Sequence, residues 1–228
     1  MDDEKKCEIS NGLVFYFDIY GFSSLVSKNE SPNNLVVSIL DIWDFIKINI
    51  VPKRNCIPYL FSDCGFLFYP HSDNFEKTEF LTDIFDDIKE ILHAYLKKNF
   101  FLRGAIAYGD IHYTNNLILG DAVVRAVKYE SEYCPGPFIM FPTKECYDFF
   151  KYDEHFIKLF HEDVIILKHR DQLMESLIIL PADKKLYLDQ IESKISEYSR
   201  NGPHNYANFW FQSREFLLKH IESLNNKK

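Results

Sequence analysis

Two aspartates lie where predicted strands end, and together they could bind a metal ion. Asp18 follows the apolar run Leu13–Phe17, which favours a strand. Asp63 lies at the predicted tip, Asp63-Cys64, of a hairpin between strands 57–61 and 66–69. In a split βαβ sheet these strands are neighbours, so both carboxylates reach one point at the sheet edge. Carboxylate oxygens beside a phosphate are what Mg²⁺ or Mn²⁺ prefers, so the pair predicts a metal site.

The residues after Asp18 add a possible anion site. Gly21 permits a sharp turn, and Phe22 and Ser23 begin a predicted helix. Free N–H groups and the helix dipole attract anions at a helix start. A metal site and free backbone N–H groups side by side suggest that this region binds a triphosphate. Either aspartate alone is also an ordinary turn residue, so the hypothesis depends on the pair.

The elements that must position these residues follow a β-α-β-β-α-β order over residues 13–109. Apolar residues spaced by three and four predict the helices. The order is that of the ferredoxin-like split βαβ arrangement, an α+β fold with helices on one face of the sheet. The predicted elements of this part are helices at 22–26, 36–50 (stopped by Pro52), 81–95 and 119–134, with further strands at 101–108 and, after a Gly109-Asp110 turn, at 111–113.

The rest of the chain predicts short strands followed by helices. The predicted elements are a strand at 138–141, a short helix capped by Thr143, strands at 156–160, 164–167 and 177–180, and helices at 184–198 and 206–224. We expect a polar N-terminal segment over 1–12, one catalytic domain over 13–180 and a helical C-terminal extension over 181–228.

Composition narrows the possible classes of protein. Of 228 residues, 46% are hydrophobic and 16% aromatic, which argues against disorder. The net charge of −8 disfavours a nucleic-acid partner, because phosphate backbones need a basic surface. No apolar run is long enough for membrane insertion, and the charged start MDDEKKCEIS is unlike a signal peptide. Five cysteines without a CxxC pair suggest reduced thiols, so we expect a cytoplasmic protein.

Four segments of the sequence resemble motifs of a known family. The segments are YFDIYGFS at 16–23, SDCG at 62–65, LRGAIAYGDI at 102–111 and LGDAVVRAVKYES at 119–131. In order and spacing they resemble the two metal motifs, the following strand and the active-site helix of class III nucleotidyl cyclases. The resemblance covers about residues 13–141. Within that superfamily the chain most closely resembles the bacterial pyrimidine cyclases of the Pycsar antiphage system.

The resemblance implies a reaction and an assembly. Asp18, Asp63 and the Ile19 carbonyl would hold two Mn²⁺ or Mg²⁺ ions, and the ribose 3′-oxygen would attack the α-phosphorus of the triphosphate. Such cyclases are antiparallel homodimers with shared active sites, so the metal residues of one chain would face the 117–128 region of the other. A cyclic-nucleotide-binding effector would then respond to the product.

Departures from the purine cyclases bear on the substrate. Tyr59 stands where they carry a base-reading Lys, and Leu117 stands where they carry another base reader. A bulky ring at 59 favours a one-ring base. Arg103, if it reaches the pocket, could donate to the uracil O4, so we expect UTP to be converted to cyclic UMP, with cytidylate cyclase as the alternative.

The transition-state positions of the active-site helix are also altered. Val124 and Lys128 replace the family's Asn and Arg. Lys128 still supplies a positive charge, and Arg103 and Arg125 are further candidates for phosphate contact. The same departures keep open a degenerate module that only dimerises or binds a nucleotide.

Overall fold

The computed structural model describes residues 7–28, 32–71, 76–134, 136–145, 164–168, 175–181, 183–201 and 210–219. Their strands are β1 (Glu8–Ile19), β2 (Ile57–Phe61), β3 (Cys64–Pro70), β4 (Leu102–Thr114), β5 (Leu117–Leu119), β6 (Ile139–Pro142), β7 (Val164–Lys168) and β8 (Glu175–Ile179). Their helices are α1 (Phe22–Lys28), α2 (Pro32–Phe45), α3 (Val51–Arg54), α4 (Lys77–Lys97), α5 (Asp121–Tyr133), α6 (Lys184–Asn201) and α7 (210–219), with a π-helical turn at Ile46–Ile50.

The strands form one sheet in the order β2-β3-β1-β4-β6-β8-β7, with β5 paired to β4. Neighbours in this order are antiparallel except β4 and β6, which are parallel. The strands β2 and β3 form the expected hairpin, and β1 lies between β3 and β4. The predicted α+β fold with a split βαβ core is therefore confirmed.

Helices cover both faces of the sheet, whereas the sequence predicted one covered face. Leu13, Phe15 and Phe17 of β1 belong to the core that α2 and α4 share with the first face. Val14 belongs to a second core, to which α5, α6 and α7 contribute. Strand residues alternate between faces, so apolar residues at both parities demand cover on both sides. Tyr187 of α6 is one of the residues that cover the second face.

Several element bounds differ from the predictions. The strand β1 begins at Glu8, and β4 runs without a break to Thr114, so the predicted turn at Gly109-Asp110 is wrong. Gly109 pairs with Gly12 of β1, so the strand ladder overrides the local turn preference. The strand β5 was not predicted, and α5 begins at Asp121 rather than at Leu119.

The helix before β2 does not stop at Pro52. Pro52 lies in the first turn of α3, where a missing N–H is tolerated, and Asn55, which caps α3 at its C-terminus, adopts the left-handed conformation (φ 52°). The chain is helical at 143–145, so the predicted short helix is present, but Thr143 is its first residue and not the cap before it. The predicted strand at 156–160 lies outside the described residues. No helix in the described part of the chain is long and apolar enough to cross a membrane.

Candidate active site

Strand pairing brings the two predicted metal aspartates to one sheet edge. Asp18, near the end of β1, lies opposite Cys64 of β3. The hairpin turn is Ser62-Asp63, one residue earlier than predicted, because Phe61 pairs with Cys64 and Ser62 adopts the left-handed conformation (φ 54°). The Ile19 N–H donates to the Asp63 carbonyl oxygen over 2.9 Å, which ties the hairpin tip to the residue after Asp18.

Asp18 is held by an arginine through one oxygen only. Arg103 of β4 lies directly opposite Asp18 in the strand register. Its Nη2 donates to Asp18 Oδ2 over 3.2 Å, and its Nε forms an ion pair with Glu130 Oε1 of α5. Asp18 Oδ1 is buried and has no hydrogen-bond partner among the described residues. One hard oxygen of Asp18 is thus left for a ligand that the described part of the chain does not supply.

The charged group formed by Asp18, Arg103 and Glu130 is poorly solvated. Burial raises the pKa of Asp18, the Arg103 guanidinium lowers it, and the charge of Asp63 raises it further. Burial also raises the pKa of Glu130 to about 7, with a smaller upward contribution from Asp18, against the lowering effect of Arg103. Asp18 and Glu130 share one guanidinium, and the charge of Asp63 acts on Asp18 as well, so a bound cation would relieve the excess negative charge.

Cys64, in the same row of the sheet, is not a candidate thiolate. Burial, followed by the charges of Asp63 and Asp18, raises the pKa of its thiol to about 11. A thiol that stays protonated at neutral pH is neither a strong nucleophile nor a soft metal ligand. The cysteine therefore occupies a strand position beside the carboxylates without changing their preference for hard cations.

The donor set fits a Mg²⁺ or Mn²⁺ ion that also binds a phosphate. Asp18 Oδ1 is buried without a partner among the described residues, and the resemblance adds the Asp63 carboxylate and the Ile19 carbonyl as expected ligands. Among the described residues, no group of three or more His, Cys, Asp or Glu side chains is arranged to hold a metal ion alone. Such an ion commonly keeps few protein ligands and takes its remaining oxygens from water and substrate phosphates.

The structure places Arg125, another predicted phosphate contact, in a different group. Its Nε donates to Glu145 Oε1 over 2.9 Å, and it also forms an ion pair with Asp121. Tyr129 donates to the same Glu145 oxygen over 2.7 Å, and the Tyr108 N–H donates to the other over 2.9 Å. These bonds join α5 to β4 and to the segment after β6, and they are not shared with Asp18.

Lys128 and Val124 lie on the exposed side of α5. The Lys128 side chain is 56% exposed and reaches Glu132 only at 3.9 Å, while Val124 is 65% exposed. Neither contacts the aspartates within the chain. Leu117 of β5 is also half exposed, at 50%. In one chain these residues have the accessibility that contact with a substrate or a second chain requires.

Tyr59 and Leu117, the two predicted base readers, lie close together. The Tyr59 hydroxyl donates to the Thr114 carbonyl over 2.5 Å, and Thr114 is the ladder partner of Leu117. Tyr59 is buried and packs in the core on the second face, with Phe66 as its ladder partner. Its hydroxyl proton is occupied, which leaves an acceptor lone pair and the ring edge for a base.

The Gly21 loop forms a tight start to α1. Gly21 has a φ of 75°, a left-handed conformation that favours glycine, and its carbonyl accepts the Ser24 N–H over 3.0 Å. Phe22 packs partly buried against the first core, and Ser23 is exposed. The Tyr20 N–H is bonded to the Phe101 carbonyl over 2.8 Å, so it is not available to a phosphate.

Sequence reasoning missed Glu130 and the support behind Arg103. Glu130 shares the buried face of α5 with Ala122 and Ala126, and the i, i+4, i+8 spacing was a signal that could have found it. The Arg103 guanidinium lies 5.6 Å from the Tyr20 ring centroid, and Trp210 of α7 packs edge-on against Tyr20 at 5.4 Å. No local pattern indicates that second contact.

Solved structures with similar folds are nucleotidyl cyclase domains. A non-canonical dimeric guanylyl cyclase domain of the RhoGC fusion protein from the aquatic fungus Blastocladiella emersonii matches with a TM-score of 0.56 at 16% identity, over 78% of this chain and 98% of that one. The guanylate cyclase domain of Catenaria anguillulae in complex with GTP matches with 0.54 at 13%, over 76% and 98%. The adenylyl cyclase CyaB from P. aeruginosa matches with 0.52 at 14%, over 78% and 98%.

No family model and no curated protein matches the sequence. At identities this low the likeness shows the fold, which is that of class III nucleotidyl cyclase catalytic domains. The neighbouring domains are matched almost completely, while about a fifth of this chain lies outside the match. The expectation of a cyclase fold is therefore confirmed, and specificity and biological role are matters for proposal.

Proposed function

We propose that the chain is a nucleotidyl cyclase that converts UTP to 3′,5′-cyclic UMP and pyrophosphate. The observation that carries the proposal is the hydrogen bond from the Ile19 N–H to the Asp63 carbonyl, which places the hairpin tip beside Asp18 on a sheet with the fold of class III cyclases. The open, buried Asp18 Oδ1 supports a cation site at that edge. The match to cyclase domains supports a triphosphate as substrate.

The residues Asp18, Asp63 and the Ile19 carbonyl would hold two Mn²⁺ or Mg²⁺ ions. Bound there, the ions lower the barrier to deprotonating the ribose 3′-hydroxyl and neutralise charge on the leaving pyrophosphate. Arg103 holds Asp18 in place, and the Gly21 turn with Phe22 and Ser23 sets the wall beside the phosphates. The contribution of the chain is mainly positioning and electrostatics.

A pyrimidine base fits the pair formed by Tyr59 and Leu117. A buried ring at position 59 removes the charge and donors that a lysine would offer a purine, and it narrows the space beside Leu117. The Tyr59→Ala variant should therefore convert purine triphosphates better relative to UTP while binding Mn²⁺ as before. Replacing the exposed Phe61 by Ala on the same strand is the matched control, and an unchanged product ratio in Tyr59→Ala would contradict this assignment.

The choice of UTP over CTP rests on the resemblance and on Arg103. Its Nη2 and Nε are engaged with Asp18 and Glu130, so a contact with uracil O4 would use one of the remaining N–H groups of the guanidinium. Incubation with ATP, GTP, CTP and UTP in the presence of Mn²⁺, with cyclic products read by mass, tests the substrate. Cyclic UMP as main product is expected. Preference for CTP would overturn only the Arg103 argument, and preference for a purine would overturn the pyrimidine proposal.

We further propose a homodimer with shared sites. Lys128 is exposed and does not contact the aspartates of its own chain, which is what contribution to a neighbouring chain's site requires. Mixing inactive Asp63→Ala and Lys128→Ala chains should restore partial activity, because one composite site is then intact. Absence of recovery, with heterodimers shown to form, would argue against sharing.

The biological role we propose is second-messenger synthesis in antiphage defence, with a cyclic-nucleotide-binding effector responding to the product. Its support is the resemblance of the chain, within the class III cyclases, to the pyrimidine cyclases of the Pycsar system. Cells that carry the gene together with its genomic neighbours should resist phage, and the Asp18→Asn version should not. Equal plaque counts for the two versions would contradict this role.

A second candidate is a degenerate cyclase-like module. The observation in its favour is that the exposed positions Val124 and Lys128 lack the amide and guanidinium of the family. Complete inactivity with all four triphosphates and Mn²⁺, in a protein shown to be folded, would support it.

A further inference from the structure

Glu130 is a buried acid with no part in the proposed reaction so far. It lies on α5, is 3% exposed and forms an ion pair with Arg103. An acid this buried is costly unless its partner compensates for lost solvation. Its presence beside Asp18 therefore calls for a reason beyond packing.

The geometry around Arg103 suggests that reason. Asp18 and Arg103 are direct cross-strand neighbours, and a guanidinium so placed tends to bind a carboxylate through two parallel N–H···O bonds. Here the two arms are divided, since Nη2 donates to Asp18 Oδ2, whereas Nε forms a close ion pair with Glu130 Oε1 that lacks hydrogen-bond geometry. As a result Asp18 Oδ1 stays without a partner among the described residues.

We propose that Glu130 is a positioning residue that holds Arg103 by Nε and so keeps Asp18 Oδ1 open for a divalent cation. The inference rests on the proposed function, because it concerns the same metal site. Without Glu130, the guanidinium turns both arms to Asp18 and competes with the cation for its oxygens. The parallel N–H donors of the guanidinium match the two oxygens of a planar carboxylate, so this bidentate contact is favourable.

The test is a titration of the full chain with Mn²⁺ alone, with free Mn²⁺ read by its electron paramagnetic resonance signal at mildly alkaline pH. Glu130→Gln should weaken binding about tenfold. The double variant Glu130→Gln with Arg103→Met should recover the affinity of Arg103→Met alone, because the competing guanidinium is gone. The control is Glu132→Gln, an exposed acid on the same helix, which should bind as the unmodified protein does.

Two outcomes would overturn the inference. Unchanged Mn²⁺ binding in Glu130→Gln would show that Arg103 does not close on Asp18. An equal loss with and without Arg103 would show that Glu130 attracts the cation by its own charge.

Other outcomes separate this inference from the proposed function. Mn²⁺ binding that is absent in the unmodified chain, or that survives Asp18→Asn, would overturn the metal site and the inference together. If Glu130→Gln does not fold, as judged by circular dichroism, Glu130→Asp serves instead. That shorter acid keeps the charge but withdraws from Arg103, so it should also weaken binding, and full affinity in Glu130→Asp would contradict the proposal.

Discussion

Two arginine–glutamate pairs join α5 to the sheet, and they differ in how completely their polar atoms are paired. The Glu145 group contains Arg125, Glu145, Tyr129 and Tyr108, and both Glu145 oxygens accept hydrogen bonds of 2.7–2.9 Å. The Asp18 group contains Asp18, Arg103 and Glu130, and in it Asp18 Oδ1 has no partner among the described residues. Both groups contain a glutamate that is 1–3% exposed.

The difference separates a structural connection from a binding site. A buried polar network with every atom paired stabilises one arrangement of the chain. A buried oxygen without a partner costs free energy, which a ligand can return on binding. On this comparison the Glu145 group fixes α5 in place, and the Asp18 group is where we propose that a cation binds.

The largest effect on stability is expected from Arg125→Met. The substitution leaves the buried Glu145 without its cation, so the free energy of unfolding should fall by about 3 kcal/mol. Urea unfolding followed by circular dichroism measures it. Arg214→Met, which breaks exposed pairs on α7, is the control and should cost under about 1 kcal/mol. A similar loss of unfolding free energy in the two variants would contradict the assignment of the Glu145 group as a structural connection.

A third pair, on the first face, extends the comparison to pH. Asp87 of α4 is 1% exposed and lies 3.5 Å from Arg54 Nε, and burial raises its pKa to about 7 despite Arg54. The folded state then binds a proton at a higher pH than the unfolded state does. The free energy of unfolding should therefore rise by up to about 1.4 kcal/mol per unit as the pH falls from about 7 toward 4.

The Asp87→Asn variant should lose that contribution. The difference in free energy of unfolding between the variant and the unmodified protein should therefore change between about pH 7 and pH 4. Asp83→Asn, on the same helix and bonded to the same Arg54 over 3.0 Å, is the matched control. The measurement is a series of urea unfolding curves at stepped pH. A parallel pH dependence for Asp87→Asn and the unmodified protein would contradict the account.

The smallest effect on stability is expected at Lys128. Its ion pair with Glu132 is exposed and long, so Lys128→Ala should change the free energy of unfolding by less than about 0.5 kcal/mol. Product formation should nevertheless fall about a hundredfold if the ammonium contacts the transition state. Lys128→Arg should recover part of it, and Lys194→Ala on α6 is the control. Normal turnover by Lys128→Ala would remove the residue from the site.

Local sequence was enough to predict the sheet edge that carries the aspartates. The apolar run of β1 and the two runs of the hairpin each specify a strand by themselves, and the connection between β2 and β3 is two residues long. The neighbourhood of Asp18 and Asp63 follows from those elements and their order. The exact turn, Ser62-Asp63, and the ends of β1 and β3 differed from the prediction.

The separate contacts of the Arg103 guanidinium with Asp18 and Glu130 could not be predicted in the same way. They depend on the register that places Arg103 opposite Asp18, 85 residues away, and on how α5 packs over that pair. Neither quantity is encoded in a local pattern. The cover of the second face by α6 and α7 likewise depends on contacts between distant parts of the chain, such as Trp210 against Tyr20.

The most direct test of the central claim is the activity of Asp18→Asn. The purified variant and the unmodified chain are incubated with UTP and Mn²⁺, cyclic UMP is quantified by mass, and circular dichroism checks the fold. We expect product to fall at least about a thousandfold in Asp18→Asn. Asp44→Asn, an exposed acid on α2, should leave it unchanged. Turnover by a folded Asp18→Asn protein at the unmodified rate would contradict the assignment of this sheet edge as the active site.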